Sequence, residues 1–396
     1  MKKSLSIKNI KISPSVTLAI TAKAKKMKSD GEDVISFGAG EPDFKTPEHI
    51  RNAAIDVIQN GNIGYTAASG LSQLKEAICE KFKNDNDLEY TSENIVVSNG
   101  AKHSLFNALQ AICNPGDEVI IPTPYWVSYP ELVKLADAVP VFVEALEEYG
   151  FKYTRENLLK AVSKKTKAII LNSPNNPTGA VYTESELREI ADIAVNNNIY
   201  IISDEIYEKL IYEGKHISIA SFNEKIKDLT IVINGVSKGY AMTGWRIGYS
   251  AANKEITKIM TNIQSHATSN PNTIAQYAAI AALKGDQEVV NDMVKAFDER
   301  RKYMVEKINN ISNLSCKEPK GAFYVMVNIS KIIGKEFDGI KIKNSMDFAD
   351  YLLEKVKVAV VPGIGFGVEN YIRLSYATSI ENIKEGLKRI ERAINI

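Results

Sequence analysis

Between about Ser92 and Val236, short β-branched apolar runs alternate with stretches whose apolar residues recur at helical spacing. This alternation predicts strands at Ile95–Val97, Glu118–Ile121, Pro140–Val143, Ala168–Leu171, Tyr200–Ser203 and Thr230–Asn234, joined into a mostly parallel sheet by crossover helices. One helix is expected over Glu184–Asn196, while Ser218–Asp228 is more irregular. Most of these strands run straight into polar or Gly/Pro-rich residues, which is where an open α/β sheet binds its ligands.

After about Asn270 the pattern changes. Long charged helical stretches, Asn272–Leu283 and Glu288–Asn309, precede strand-like runs at Ala322–Val327, Val358–Val361 and Tyr371–Leu374 and an amphipathic helix from Ile380. That is an α+β texture, so the chain is expected to be an α/β protein with a large sheet domain over 46–283 and a smaller α+β domain over 284–396. Residues 1–45 are too few for a domain and are assigned as an arm that completes the smaller one. No repeat and no low-complexity stretch interrupts this plan.

Charge narrows the partners. With 49 basic and 48 acidic residues in a chain of 396, and no long run of either sign, nothing marks a surface for nucleic acid or an acidic membrane. Small molecules are the expected partners. Cys79, Cys113 and Cys316 fit neither a disulfide framework nor a metal site, and no metal is expected. The start Met1-Lys2-Lys3 is not followed by an apolar leader, and no apolar run is long enough to span a bilayer, so a cytoplasmic protein is expected.

Two residues stand out chemically. Asp204 follows the run Tyr200–Ser203, at the carboxyl end of a strand, although an aspartate there can equally cap a helix. Lys238 lies in Gly235-Val236-Ser237-Lys238, just past the next strand. A desolvated neutral amine can form a Schiff base, and a carboxylate can keep a pyridine ring protonated as an electron sink. For an anion such as phosphate, Gly100-Ala101-Lys102 opens a helix with free amides, and Ser237 and Arg246 flank the lysine. Taken singly, a tight turn at Gly100 or a surface ion pair at Arg246 explains each as well.

Five motifs occur in one order: Gly38-Ala39-Gly40-Glu41-Pro42-Asp43-Phe44, Asn172 to Gly179, Ser203-Asp204-Glu205-Ile206-Tyr207, Val236-Ser237-Lys238 through Gly244-Trp245-Arg246-Ile247-Gly248, and Arg373-Leu374-Ser375-Tyr376. Together they resemble the fold-type I pyridoxal-phosphate-dependent aminotransferases, particularly the bacterial-type aspartate aminotransferase branch. The resemblance runs from about Pro14 to Ile390. It implies pyridoxal 5′-phosphate as cofactor, amino acids and 2-oxo acids as substrates, and a homodimer with shared sites. By this likeness Lys238 is the Schiff-base lysine and general base, Asp204 the partner of the ring nitrogen, and Tyr207 and Asn176 the donors to the 3′ oxygen. Trp126 stacks on the ring; Gly100, Ala101, Lys102, Ser237, Arg246 and the neighbouring subunit's Tyr65 surround the phosphate. Arg373, Asn176 and the Gly40 amide meet the substrate carboxylate.

In one branch of this family, an arginine in the segment matching Ser265–Pro271 reads acidic side chains, and none occurs here. Lys102 is the alternative cation, as in the bacterial-type branch, which points to L-aspartate and L-glutamate. Aromatic or prephenate-type substrates are the alternative. Two other classes fit less well. Gly363-Ile364-Gly365-Phe366-Gly367 is not the GxGxxG of a nicotinamide dehydrogenase, and no residues remain for a DNA-binding module beside a non-catalytic domain.

Overall fold

The computed structural model describes residues 6–10 and 12–395; the start Met1-Lys2-Lys3 lies outside them. A short strand, β1 (Ile35–Ser36), stands apart from the large sheet. That sheet contains β2 (Ile95–Ser98), β3 (Glu118–Thr123), β4 (Val139–Glu144), β5 (Thr166–Asn172), β6 (Tyr200–Asp204), β7 (Thr230–Gly235) and β8 (Gly248–Ala251), in the order β2-β8-β7-β6-β5-β3-β4. All pairs are parallel except those of β8, which runs antiparallel to both β2 and β7.

All six strands expected there are present, with ends displaced by a residue or two. β8 is the addition. Its four residues carry no recognisable alternation, and its place depends on a close approach that only glycine permits: a Cβ at Gly248 would strike the backbone of Gly100 and Ala101.

Adjacent residues in the central strands face opposite layers, as the two-residue period requires. Ile121, Ile170 and Ile202 pack with Leu105, Val133 and Met260 on one side. Ile120, Ile169 and Ile201 pack with Leu158, Leu187 and Ile226 on the other. Each such buried side chain stabilises the fold by about 1.5–3 kcal/mol relative to exposure. The helix Glu184–Asn197 begins at a capping box, Thr183 with Glu186, and ends where Asn198 turns left-handed at φ 52.

A second, antiparallel sheet holds β9 (Ser315–Cys316), β10 (Tyr324–Asn328), β14 (Val361–Pro362) and β15 (Tyr371–Ser375) in the order β14-β15-β10-β9. β11 (Glu336–Phe337) and β12 (Ile340–Lys341) form a small hairpin. β13 (Val358–Ala359) pairs in parallel with β1. The sequence suggests a single strand over Val358–Val361; instead the chain changes partner at Val360, leaving β1 and joining β15. Likewise the run expected from Ala322 becomes a strand only at Tyr324, because Ala322 is left-handed at φ 58. The Gly363–Phe366 stretch is a single 3-10 turn, with no dinucleotide-binding unit after it. Among the described residues no helix is long and apolar enough to cross a membrane.

Candidate active site

The carboxyl ends of β5, β6 and β7 open onto a cavity of about 710 Å³. Asp204 is the last residue of β6 and is buried. Its Oδ2 accepts the Tyr129 hydroxyl at 2.7 Å and its Oδ1 accepts the Ile206 amide at 3.3 Å. The carboxylate therefore both caps a turn and lines the crevice, though no helix begins there. Asn172 ties the next loop to this strand end: its Nδ2 donates to the Asp204 carbonyl and its Oδ1 accepts the Asn176 amide, both at 2.9 Å. Burial pushes the Asp204 carboxyl up to about 6, against the opposing pull of the two hydrogen bonds.

Lys238 is not a surface lysine. Its Nζ donates to the Gly40 carbonyl at 2.5 Å and lies 5.8 and 5.9 Å from the ring centres of Tyr207 and Phe323. Desolvation lowers its amine to about 8; Glu41 opposes the shift, and the Arg246 and Arg373 charges add to it. Only the neutral amine attacks an aldehyde. Trapping of Lys238 by a small aldehyde and borohydride, read by mass spectrometry, should therefore rise through pH about 8, and a midpoint near 10.5 would mean an unperturbed amine.

Three separated segments form an anion cup. Gly100, at φ 91, precedes the helix Ala101–Ile112, whose first amides, those of Ala101 and Lys102, have no acceptor within the helix. Arg246 adopts φ 57 and folds back against Gly100: Nη1 donates to the Thr243 carbonyl at 2.9 Å and Nη2 to the Asn99 carbonyl at 3.3 Å. A Cβ on Gly100 would collide with that guanidinium, so the residue is more than a flexible turn. Ser237 lines the same cavity.

Opposite the cup, Arg373 on β15 is 3% exposed. Its Nη1 donates to Asn176 Oδ1 at 3.0 Å and its Nη2 to the Gly38 carbonyl at 3.2 Å, while its Nε has no partner among the described residues. An orphaned donor this deeply buried calls for an acceptor from outside the chain. Tyr324 pairs with Ser375, which puts it diagonal to Arg373 on one sheet face, and its ring lies 4.3 Å from the guanidinium carbon. The Tyr324 and Tyr207 hydroxyls are 3.0 Å apart. Burial holds the Tyr207 phenol well above its ordinary value, so it stays protonated.

Trp126 packs edge-on against Tyr129, and the Lys102 ammonium sits 4.9 Å from its ring. Lys102 forms no ion pair among the described residues, and desolvation, then the Arg246 charge, lowers its pKa. At Gly40 a Cβ would meet only the Tyr324 hydroxyl, at 3.7 Å, so a steric need for glycine could arise only from a ligand. Tyr65 is 94% exposed and outside this cavity.

Sequence reasoning missed Tyr129, Tyr324, Glu41 and the helix Val16–Ser29, whose Thr17 and Thr21 form part of the wall. Tyr129 opens the helix Tyr129–Leu135 three residues after Trp126, and its amide donates to the Trp126 carbonyl at 2.9 Å. Behind Asp204, Glu205 is tied to Ser203, Ser218 and His216, and Glu208 to Lys81 and Asn86.

The chain belongs to the aminotransferases of class I and II, whose family model matches residues 32–390. It is 53% identical to an aspartate aminotransferase of Bacillus sp. (strain YM-2) over 396 residues, covering 100% of both chains. It is 45% identical to a probable aspartate/prephenate aminotransferase of Aquifex aeolicus, covering 100% of this chain and 99% of that one. The crystal structure of the aspartate aminotransferase from Rhizobium meliloti matches with a TM-score of 0.96 at 42% identity, over 100% of this chain and 99% of that one.

Proposed function

We propose that this protein is a pyridoxal-phosphate-dependent aminotransferase that moves the amino group of L-aspartate or L-glutamate to a 2-oxo acid such as 2-oxoglutarate. The observation that carries this reading is the convergence on one cavity of a lysine held near pKa 8, a buried strand-end carboxylate and an arginine with an orphaned donor. The residues fit the cofactor. The Ala101 and Lys102 amides, the Ser237 hydroxyl and the remaining donors of Arg246 would hold its phosphate, Asp204 its ring nitrogen, Tyr207 and Asn176 its 3′ oxygen, and Trp126 its face. Pyridoxal phosphate supplies an electron sink for the charge left when the substrate Cα–H bond breaks.

The chain supplies the rest. Arg373 presents a planar fork to the substrate α-carboxylate, a geometry lysine cannot match, with the Asn176 amide and the Gly40 N–H beside it. Tyr129 and the Ile206 amide favour the ionised form of Asp204 inside a site that otherwise opposes charge. Lys238 Nζ accepts the proton leaving Cα and holds it within the same cavity, with Tyr207 beside it. The donor's oxo acid leaves before the acceptor enters, so ping-pong kinetics are expected. Assaying L-aspartate against 2-oxoglutarate, and L-glutamate against oxaloacetate, tests this directly: no transamination in either pair would overturn it.

Lys102 carries the preference for acidic donors, since its unpaired ammonium is the cation at hand for a second carboxylate. Lys102→Ala should raise the KM for aspartate by roughly ten- to hundredfold, about 1.5–3 kcal/mol for a charge-assisted hydrogen bond, with far smaller changes for alanine or phenylalanine. Equal losses on all donors would leave it a cofactor or structural role. The Aquifex relative's name favours the second reading, aromatic or prephenate-type substrates, tested with prephenate as the acceptor. We further infer a homodimer in which Tyr65 reaches the neighbouring protomer's phosphate, a large domain over 46–283 beside a smaller one over 284–396 completed by residues 1–45, and a cytoplasmic setting, which the three free thiols support.

A further inference from the structure

The segment Gly64-Tyr65-Thr66-Ala67-Ala68-Ser69-Gly70 has the composition of a mobile loop, two glycines and four small residues around one tyrosine. It is nonetheless fastened on both sides of the tyrosine, through the Gly64, Ala68 and Ser69 carbonyls, the Gly70 amide and the Thr66 hydroxyl. Thr273 Oγ1 donates to the Gly64 carbonyl at 2.8 Å. Gln276 Nε2 donates to Thr66 Oγ1 at 3.2 Å and to the Pro271 carbonyl at 2.9 Å, and its Oε1 accepts the Leu71 amide at 2.7 Å. Gln264 Nε2 donates to the Ala68 carbonyl at 2.6 Å and to the Val97 carbonyl at 2.7 Å, while its Oε1 accepts from Ser98 and Asn107. Both glutamines are completely buried. Above this fixed backbone the Tyr65 side chain is 94% exposed.

Gln276 ties the Thr66 hydroxyl to the Leu71 amide just past the loop and to the Pro271 carbonyl, so a buried amide restrains the turn that carries Tyr65. Among the described residues nothing uses the result, because the tyrosine is exposed and does not line its own chain's cavity. We propose that Gln276, with Thr273 and Gln264, is a positioning residue for the active site of a second copy of this chain: it preorganises Tyr65 to meet the neighbour's cofactor phosphate. The inference rests on the shared-site reading above. Preorganisation of this kind raises affinity by removing the ordering that binding would otherwise require. Gln264 also anchors Ser98, next to its own anion cup, so Gln276 and Thr273 are the cleaner probes.

Hybrid dimers of two differently tagged chains separate this role from a merely structural one. In the first arrangement Gln276→Leu and Lys238→Ala share one chain and the partner is wild type, so the only intact lysine receives Tyr65 from the altered loop. Its affinity for pyridoxal phosphate, read by the visible absorbance of the lysine-bound cofactor, should fall about tenfold, the loss of roughly one or two hydrogen bonds. In the second arrangement the two lesions lie on opposite chains, and the affinity should equal that of wild type paired with Lys238→Ala. Equal losses in both arrangements, or a loss only in the second, would overturn the inference. Thr273→Val, which removes a single bond, should repeat the asymmetry more weakly and serves if Gln276→Leu does not fold. Tyr65→Phe in the first arrangement is the control. If it has no effect, the shared-site reading fails and takes this inference with it; if it weakens binding while neither clamp variant does, this inference alone fails.

Discussion

Replacing Lys238 with alanine should lower transamination by about 10⁴-fold or more, because one residue supplies both the attachment point and the base that takes the Cα proton. The fold should survive. Among the described residues the lysine's side chain makes one hydrogen bond, to the Gly40 carbonyl. Lys238→Arg should fail as badly as alanine, since a guanidinium keeps its charge and cannot act as a neutral amine. A small amine added to the alanine variant should restore part of the rate, and more so as its basicity rises. Near-wild-type turnover in the alanine variant would remove Lys238 from the chemistry.

Asp204→Asn should act in two opposite directions. Turnover should drop by about 10²–10⁴-fold, because an amide cannot hold the charge that a protonated ring nitrogen requires. The cofactor-free protein should become more stable. Its carboxyl keeps a proton up to about pH 6 in the fold, against 3.8 for an ordinary aspartate. Between those values the folded chain binds more protons than the unfolded one, so stability falls as pH rises through the window and the loss is complete above it. The shift corresponds to a penalty on the order of 3 kcal/mol at neutral pH, which asparagine escapes while offering its oxygen to the Tyr129 hydroxyl and giving up the longer bond from the Ile206 amide. Melting the cofactor-free pair at pH 4 and pH 8 checks the sign: the variant's advantage should be greater at pH 8. An advantage independent of pH would mean that burial of the charge is not its cause.

How far the sequence reaches can be judged residue by residue. Five of the six expected strands were legible because their apolar runs are buried on both faces; the edge strand β4, with Val139 and Phe142 exposed, was legible from its β-branched and aromatic residues alone. The four-residue β8 was not, since its place depends on Gly248 meeting the start of a helix nearly 150 residues earlier, and no local pattern records that. Asp204 and Lys238 could be found as strand-end residues, whereas the roles given to Tyr207, Asn176 and Arg373 came through likeness to a family. Tyr129 and Tyr324 escaped because a tyrosine in an apolar stretch looks like core until a partner is seen. For Tyr324 that partner is fixed by the register of β10 on β15, a long-range fact. The break at Val360 likewise depends on which strand lies alongside.

The pairing of β1 with β13 also fixes when the molecule can be finished. On a ribosome adding about 5–20 residues per second, Ile35 emerges early, but its partner Val358 is made roughly 15–65 s later. The seven-stranded sheet has all its strands once Ala251 is out, so it can close first. Val34, Ile35 and Phe37, all buried in the finished protein, must wait in water through most of synthesis. The nascent chain thus keeps this apolar stretch unpaired long after the large sheet has all its strands.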